Sequence, residues 1–301
     1  MNIYKSNFDE KRKVFIVSVG RTGTRFFAEI LSQVIPDCYA VHEPDNIKIV
    51  KPNLIRNIIK QVKERGGVAN LILLKALGLT GARNLSLRRL SNRLDGQSVI
   101  NKFKAERQWI EKICCSTYME SNHQLFGFSE DLLMLPNTTV IYLVRNPIDW
   151  IRSCMNFRYG WYGRRDLLAM VNLLGFKRIS PRNIGVVDTQ WREYSRCSKL
   201  AWLWNYVNSI FYKISSSHRN GWLFRFEDIF IQKDDKTIHT FLNLLIDNKN
   251  TFEENYKTFM RFLEVKIHSG YTRNIEWDFS PKELNNVRKI CGSLMKKFDY
   301  S

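Results

Sequence analysis

The chain has 301 residues, 44% of them hydrophobic and 13% aromatic, and carries a formal net charge of +18. That much apolar material excludes a disordered chain or a disulfide-stapled miniature, and no apolar run reaches the ~18 residues a membrane-spanning helix needs. The N-terminal stretch MNIYKSNFDEKRK lacks the apolar segment of a secretory signal, so a soluble globular protein is expected, and its charge excess calls for an anionic partner such as nucleic acid, acidic glycan, nucleotide or membrane face.

Lys13 to Val19 is a β-branched apolar run broken by Gly20, which predicts a buried strand. Gly20 to Thr24 reads as a turn, and Arg25 to Val34 has helical apolar spacing that Pro36 stops. Strand, glycine turn and helix open a parallel α/β sheet. Cys38 to Val41 is a second predicted strand, ending at His42-Glu43-Pro44. A mainly helical, basic stretch follows from about 46 to 112, including ARNLSLRRLSNR, and reads as an insertion between strands. Cys115 to Met119 suits a short strand leading into Glu120-Ser121-Asn122, and Thr138 to Val144 a central one running into Arg145-Asn146-Pro147. Pro147 suits a helix start. Aromatic and basic residues alternate from Phe157 to Arg165 in an expected loop; Trp191 to Ile214 predicts a long helix, Trp222 to Phe226 the last strand, and helices the remainder.

The cysteines (Cys38, Cys114, Cys115, Cys154, Cys197 and Cys291) form no Cys-x-x-Cys pair and no cluster with histidine. Free, mostly buried thiols in a reducing, cytoplasmic compartment are expected. Abundant Asn, Lys and Ile point to a bacterial source.

Two segments carry chemistry. In VSVGRTGTRFF, backbone amides of a tight glycine turn at a helix N-terminus form an anion nest. Thr22 and Thr24 add hydroxyl donors, and Arg21 a rigid cationic fork. The Gly-Lys-Ser/Thr of nucleoside triphosphatases is absent, and the glycine spacing is not that of a dinucleotide loop. Taken alone, an ordinary strand–helix turn with a stray arginine accounts for the loop equally well. YLVRNPIDWIRSCMNF shifts that balance, placing Arg145 at a strand end and Ser153 in the helix after it. Ligands of open α/β sheets sit at the carboxyl ends of strands, so both segments can face one crevice.

These residues resemble the sulfotransferases that use 3′-phosphoadenosine 5′-phosphosulfate. The resemblance implies a three-layer αβα fold of the P-loop NTPase-like sulfotransferase type with a central parallel sheet, built as one domain over 1–301 with the helical insertion at about 46–112. It implies that Arg21, Thr22, Gly23 and Thr24, continued by Arg25 and Phe26, bind the 5′-phosphosulfate. Arg145 and Ser153 are implied to bind the 3′-phosphate, and Arg273, in GYTRN, to reach it. YAVHEP is similar to the Glu-Pro segment of carbohydrate sulfotransferases, while YMESN, RFEDIF and the closing SPKELNNVRKICGSLMKKFDY are similar to a bacterial branch.

Sulfuryl transfer, like phosphoryl transfer, rests on positioning and charge stabilisation. Arg21 would offset charge on the departing phosphate, and no metal is expected. Three residues compete for the base that takes the acceptor proton: Glu43 first, His123 second and Glu120 third. The expected acceptor is a carbohydrate hydroxyl of a surface polysaccharide, glycolipid or oligosaccharide, stacked by the Phe157–Arg165 segment; basic patches suit an anionic acceptor or peripheral contact with the inner membrane. Trp191, Trp202 and Trp204 are expected in the core, and Arg83, Arg88, Arg89 and Arg93 on a solvated helix face. A P-loop kinase, a nucleic-acid binder and a non-catalytic sulfotransferase-like fold are the rival readings; no nucleic-acid motif is present, so no nucleic-acid partner is expected.

Overall fold

The first strand, β1 (Arg12–Ser18), is buried along its whole length after Arg12, as its unbroken apolar run requires of a strand covered on both faces. The computed structural model describes residues 7–45, 80–156, 178–246, 249–265 and 277–300. Within them, β1 lies at the centre of a five-stranded, all-parallel sheet with β2 (Cys38–His42), β3 (Thr117–Ser121), β4 (Thr138–Val144) and β5 (Gly221–Arg225), in the order β2-β3-β1-β4-β5.

Helices cover both faces, which is the expected three-layer arrangement. Val14, Ile16, Ile141, Leu143 and Phe224 point to one face. They pack there on Phe27 and Leu31 of α1 (Thr24–Val34) and on other buried residues of the same cluster. Phe15, Val17, Val140, Tyr142 and Val144 point to the other. That face is covered by α2 (Ala82–Leu90), α3 (Gly96–Arg107), α4 (Pro147–Met155) and the 22-residue α5 (Arg196–Ser217). The chain continues through α6 (Phe226–Phe230), α7 (Asp235–Asn243) and α8 (Phe252–Glu264). It ends in α9 (Pro281–Lys297), opened by a capping box between Ser280 and Glu283. The described part of the expected insertion, 80–112, is helical; residues 46–79 lie outside the described residues.

Two boundaries differ from expectation for physical reasons. β3 is shifted two residues along from its predicted span, Thr117–Ser121 against Cys115 to Met119, and contains Glu120, expected just after the strand; an arginine neutralises it in the interior. α5 begins at Arg196, not Trp191, because Ser195 caps it. Trp191 instead packs from outside on Trp202, at 5.0 Å between ring centroids. The six cysteines are free and four are buried. Among the described residues no helix is long and apolar enough to cross a membrane.

From β1 the chain leaves toward β2, whereas from β4 it leaves toward β5. The connections part between these two neighbouring strands, and a crevice at their carboxyl ends is where such sheets take ligands.

Candidate active site

The loop after β1 takes a left-handed backbone at three positions, Gly20 (φ 79°), Arg21 (φ 56°) and Gly23 (φ 75°). At Gly23 a side chain is doubly excluded, since an added Cβ would also lie 2.7 Å from the Phe230 ring. Gly23 is the N-cap of α1 and no side chain caps that helix, so the first-turn amides of Thr24, Arg25 and Phe26 are presented to the crevice. The Thr22 side chain is fully buried beneath the loop, and its Oγ1 is an orphaned acceptor and donor. An anion in the cradle would supply the partner that buried hydroxyls ordinarily have. Trp150 of α4 holds the loop by donating from Nε1 to the Gly20 carbonyl at 2.8 Å.

Both predicted segments meet at this point. Arg21 Nε donates to Ser153 Oγ at 2.9 Å, and Arg145 Nη1 donates to the Arg21 carbonyl at 2.9 Å. The Arg145 guanidinium lies 4.6 Å over the Phe226 ring, and its backbone carbonyl accepts from Trp204 Nε1 at 2.8 Å. Burial pulls its pKa down, and the charges of Asp149 and Glu227 oppose that pull. Arg25 turns away along α1 to pair with Glu29 at 2.7 Å, and the Phe26 ring packs against Phe27, Phe230 and Phe259. Their contribution to the cradle is therefore through backbone amides. Arg273 and the Phe157–Arg165 segment lie outside the described residues.

A second cluster occupies the carboxyl ends of β2 and β3. Ser121 stands beside both His42 and Ile16, which sets Glu43 and His123 just beyond the carboxyl ends of their strands, about two strand spacings (~10 Å) and one strand spacing (~5 Å) from β1 along the sheet, respectively. His123 Nδ1 is hydrogen-bonded to Glu43 Oε1, and His42 Nε2 lies 3.5 Å from the same oxygen. Glu43 also takes the left-handed region (φ 42°). Asn and Asp tolerate it readily; for Glu43 and Arg21 it is a strained backbone of the kind that functional sites retain.

Glu120 proves to be different. Its side chain is fully buried; it accepts from Arg107 Nε and Nη2 at 2.7 Å each, from Tyr118 Oη at 2.6 Å and from Asn122 Nδ2 at 2.8 Å. A carboxylate so enclosed is a structural counter-ion, which removes it as a candidate base. Arg107 also grips Asp45 by two bonds, at 2.8 and 2.9 Å. Burial alone would favour its neutral form; Asp45 and Glu120 overcome that and hold the guanidinium charged. Sequence reasoning missed Arg107, Asp45 and His42; only the adjacency of His42 to Glu43 offered any signal. Among the described residues no three His, Cys, Asp or Glu side chains are grouped to hold a metal ion.

A family model described as "Sulfotransferase domain" matches residues 11–299. Among curated proteins no sequence matches. Among solved structures, a sulfotransferase domain from the curacin biosynthetic pathway aligns with 97% of this chain and 98% of its own, at 14% identity and a TM-score of 0.45.

Proposed function

The chain belongs to the sulfotransferase domain family, and from that premise we propose that it transfers a sulfuryl group from 3′-phosphoadenosine 5′-phosphosulfate, the donor the family generally uses, to a carbohydrate hydroxyl. The observation that carries the donor half is the junction of the two loops, Arg21 Nε to Ser153 Oγ and Arg145 Nη1 to the Arg21 carbonyl. It brings two cations, a hydroxyl and an uncapped helix start into one crevice, as a ligand with two separate phosphates would need. The missing Gly-Lys-Ser/Thr weighs against a kinase.

In the reaction an S–O bond forms to the acceptor oxygen, the bond from sulfur to the 5′-phosphate oxygen breaks, and the acceptor proton must leave. The amides of residues 22–26 and the Arg21 guanidinium stabilise charge on the departing phosphate. Arg145 and Ser153 hold the 3′-phosphate, with Arg273 a further proposed contact. Glu43 and His123 act as one unit toward the acceptor proton. With Nδ1–H donated to Glu43, the imidazole presents the Nε2 lone pair to a hydroxyl; with the proton shared, Glu43 stabilises the imidazolium that forms.

The carbohydrate acceptor rests on the likeness of Tyr39–Pro44 to the Glu-Pro segment of carbohydrate sulfotransferases, and the charge of +18 suits an anionic polysaccharide or a glycolipid at a membrane face. One α/β domain with an insertion at about 46–112, acting in the cytoplasm or against the inner membrane, completes the proposal.

Calorimetric titration with adenosine 3′,5′-bisphosphate, against adenosine triphosphate plus Mg²⁺, tests the donor. Tight binding of the bisphosphate alone is expected; preference for the triphosphate would sink the reading and promote a kinase. A screen of sulfated products across oligosaccharides, glycolipids and small alcohols tests the acceptor.

A further inference from the structure

The turn after α9 reaches back to the residue beside Arg145. Tyr300 is almost completely buried, and its hydroxyl donates to Glu227 Oε2 at 2.8 Å. The other oxygen of that carboxylate, Oε1, accepts the backbone N–H of Asn146 at 2.9 Å. Glu227 follows Phe226, on whose ring the Arg145 guanidinium rests. The chain end is fastened independently: Arg225 donates to the Phe298 carbonyl at 3.3 Å and the Asp299 carbonyl at 3.4 Å while pairing with Asp228, and the Phe298 ring packs on Trp204, whose indole N–H holds the Arg145 carbonyl.

Resting on the donor reading above, we infer that Tyr300 is a positioning residue for the 3′-phosphate of the donor, acting through Glu227 on Arg145. Glu227 is close enough for its charge to act on the Arg145 guanidinium, and a carboxylate that moved toward that cation would consume the charge the phosphate needs. With one oxygen committed to the Asn146 amide and the other to the Tyr300 hydroxyl, Glu227 is held beside Arg145 without pairing to it. Tyr300 stays protonated for this task, since burial and the facing carboxylate push its pKa up. Arg145 is thereby fixed at its carbonyl, its guanidinium and the following amide, a preorganised fork whose remaining donors can take an anion.

The test is calorimetry of adenosine 3′,5′-bisphosphate and adenosine 5′-monophosphate, which differ only in the 3′-phosphate, against the full chain, Tyr300→Phe, Glu227→Gln, Arg145→Ala and the Tyr300→Phe/Arg145→Ala double variant. Tyr300→Phe should weaken the bisphosphate about tenfold, as loss of one hydrogen bond to a charged group does, with the monophosphate unchanged; Glu227→Gln, which leaves no carboxylate to compete for Arg145, should not weaken it. Because Tyr300 works through Arg145, its effect should vanish in the Arg145→Ala background. Unchanged bisphosphate affinity in Tyr300→Phe, equal loss for both nucleotides, or a full loss persisting without Arg145 would overturn the inference while leaving the donor reading standing. A wild-type protein that does not prefer the bisphosphate would overturn both.

Discussion

Two arginines at the carboxyl edge of the sheet, Arg145 and Arg107, are held in opposite ways. Arg145 donates to a carbonyl and rests on an aromatic face, while Arg107 is clasped by two carboxylates, Asp45 and Glu120, with 1% of its side chain exposed. A cation bonded to neutral groups keeps its charge for an external anion. One matched by two carboxylates has spent it on the fold. Partners, not residue type, separate the β1–β4 side, where the donor is proposed to bind, from the β2–β3 side, where the buried network braces Asp45 two residues after Glu43.

Arg107→Ala would break this comparison most forcefully. Removing one partner from a buried ionic cluster strands the other and costs about 3–5 kcal/mol, so the melting temperature should fall by roughly 10 °C, whereas Arg145→Ala should barely move it. Equal melting points for the two variants would erase the distinction. On the catalytic side, Glu43→Gln should lower kcat by about 10²–10⁴-fold with the bisphosphate dissociation constant unchanged. His123→Ala should do much the same, and the double variant should be little worse than either, because residues acting as a unit are not additive. Multiplicative losses would show that Glu43 and His123 work separately. Next in size, Arg145→Ala should weaken adenosine 3′,5′-bisphosphate by roughly 10–100-fold, the range for a charge-assisted contact, and spare adenosine 5′-monophosphate.

The network also carries a pH signature. Glu106 accepts the Gly81 amide with both oxygens, and burial together with the Asp45 charge lifts its pKa to about 7 from 4.5. The folded protein then binds that proton more tightly than the unfolded chain does. Its contribution to stability is full below about pH 4.5 and is lost as pH rises through about 7. Thermal melts of Glu106→Gln against wild type between pH 5 and 8 should show the wild type losing relative stability as pH rises; parallel curves would remove Glu106 from this role.

The sequence was readable where function depends on contiguous residues. The run Lys13–Val19, the turn Gly20–Thr24 and the segment Arg145–Ser153 each form within one strand–loop–helix unit, so their local signals survive into the fold. The pairing of Glu43 with His123 and the burial of Glu120 depend on strands brought together from distant parts of the chain, and on Arg107 from a helix between them. Nothing at position 120 itself tells that a guanidinium will cover it, and Tyr300 gives no local hint of reaching Glu227. Glu43 is proposed from its place after a strand end together with the resemblance, because a strand-end carboxylate by itself is ordinarily solvated.

Ser153 gives the smallest and most discriminating effect, because its hydroxyl is already engaged. Its Oγ accepts from Arg21 Nε at 2.9 Å, so its service to the donor runs either directly to the 3′-phosphate or only through the aim of Arg21. Loss of one exposed hydrogen bond is worth about 0.5–1.5 kcal/mol, and Ser153→Ala should weaken adenosine 3′,5′-bisphosphate by roughly 2–10-fold. If the hydroxyl meets the 3′-phosphate, adenosine 5′-monophosphate should bind as before. If it serves only to orient Arg21, proposed to meet the 5′ side, both nucleotides should weaken alike, and kcat should fall with them because the departing charge is then less well met. Direct contact is expected, because Arg145, the other proposed ligand of that phosphate, bonds to the backbone of the residue whose side chain Ser153 holds.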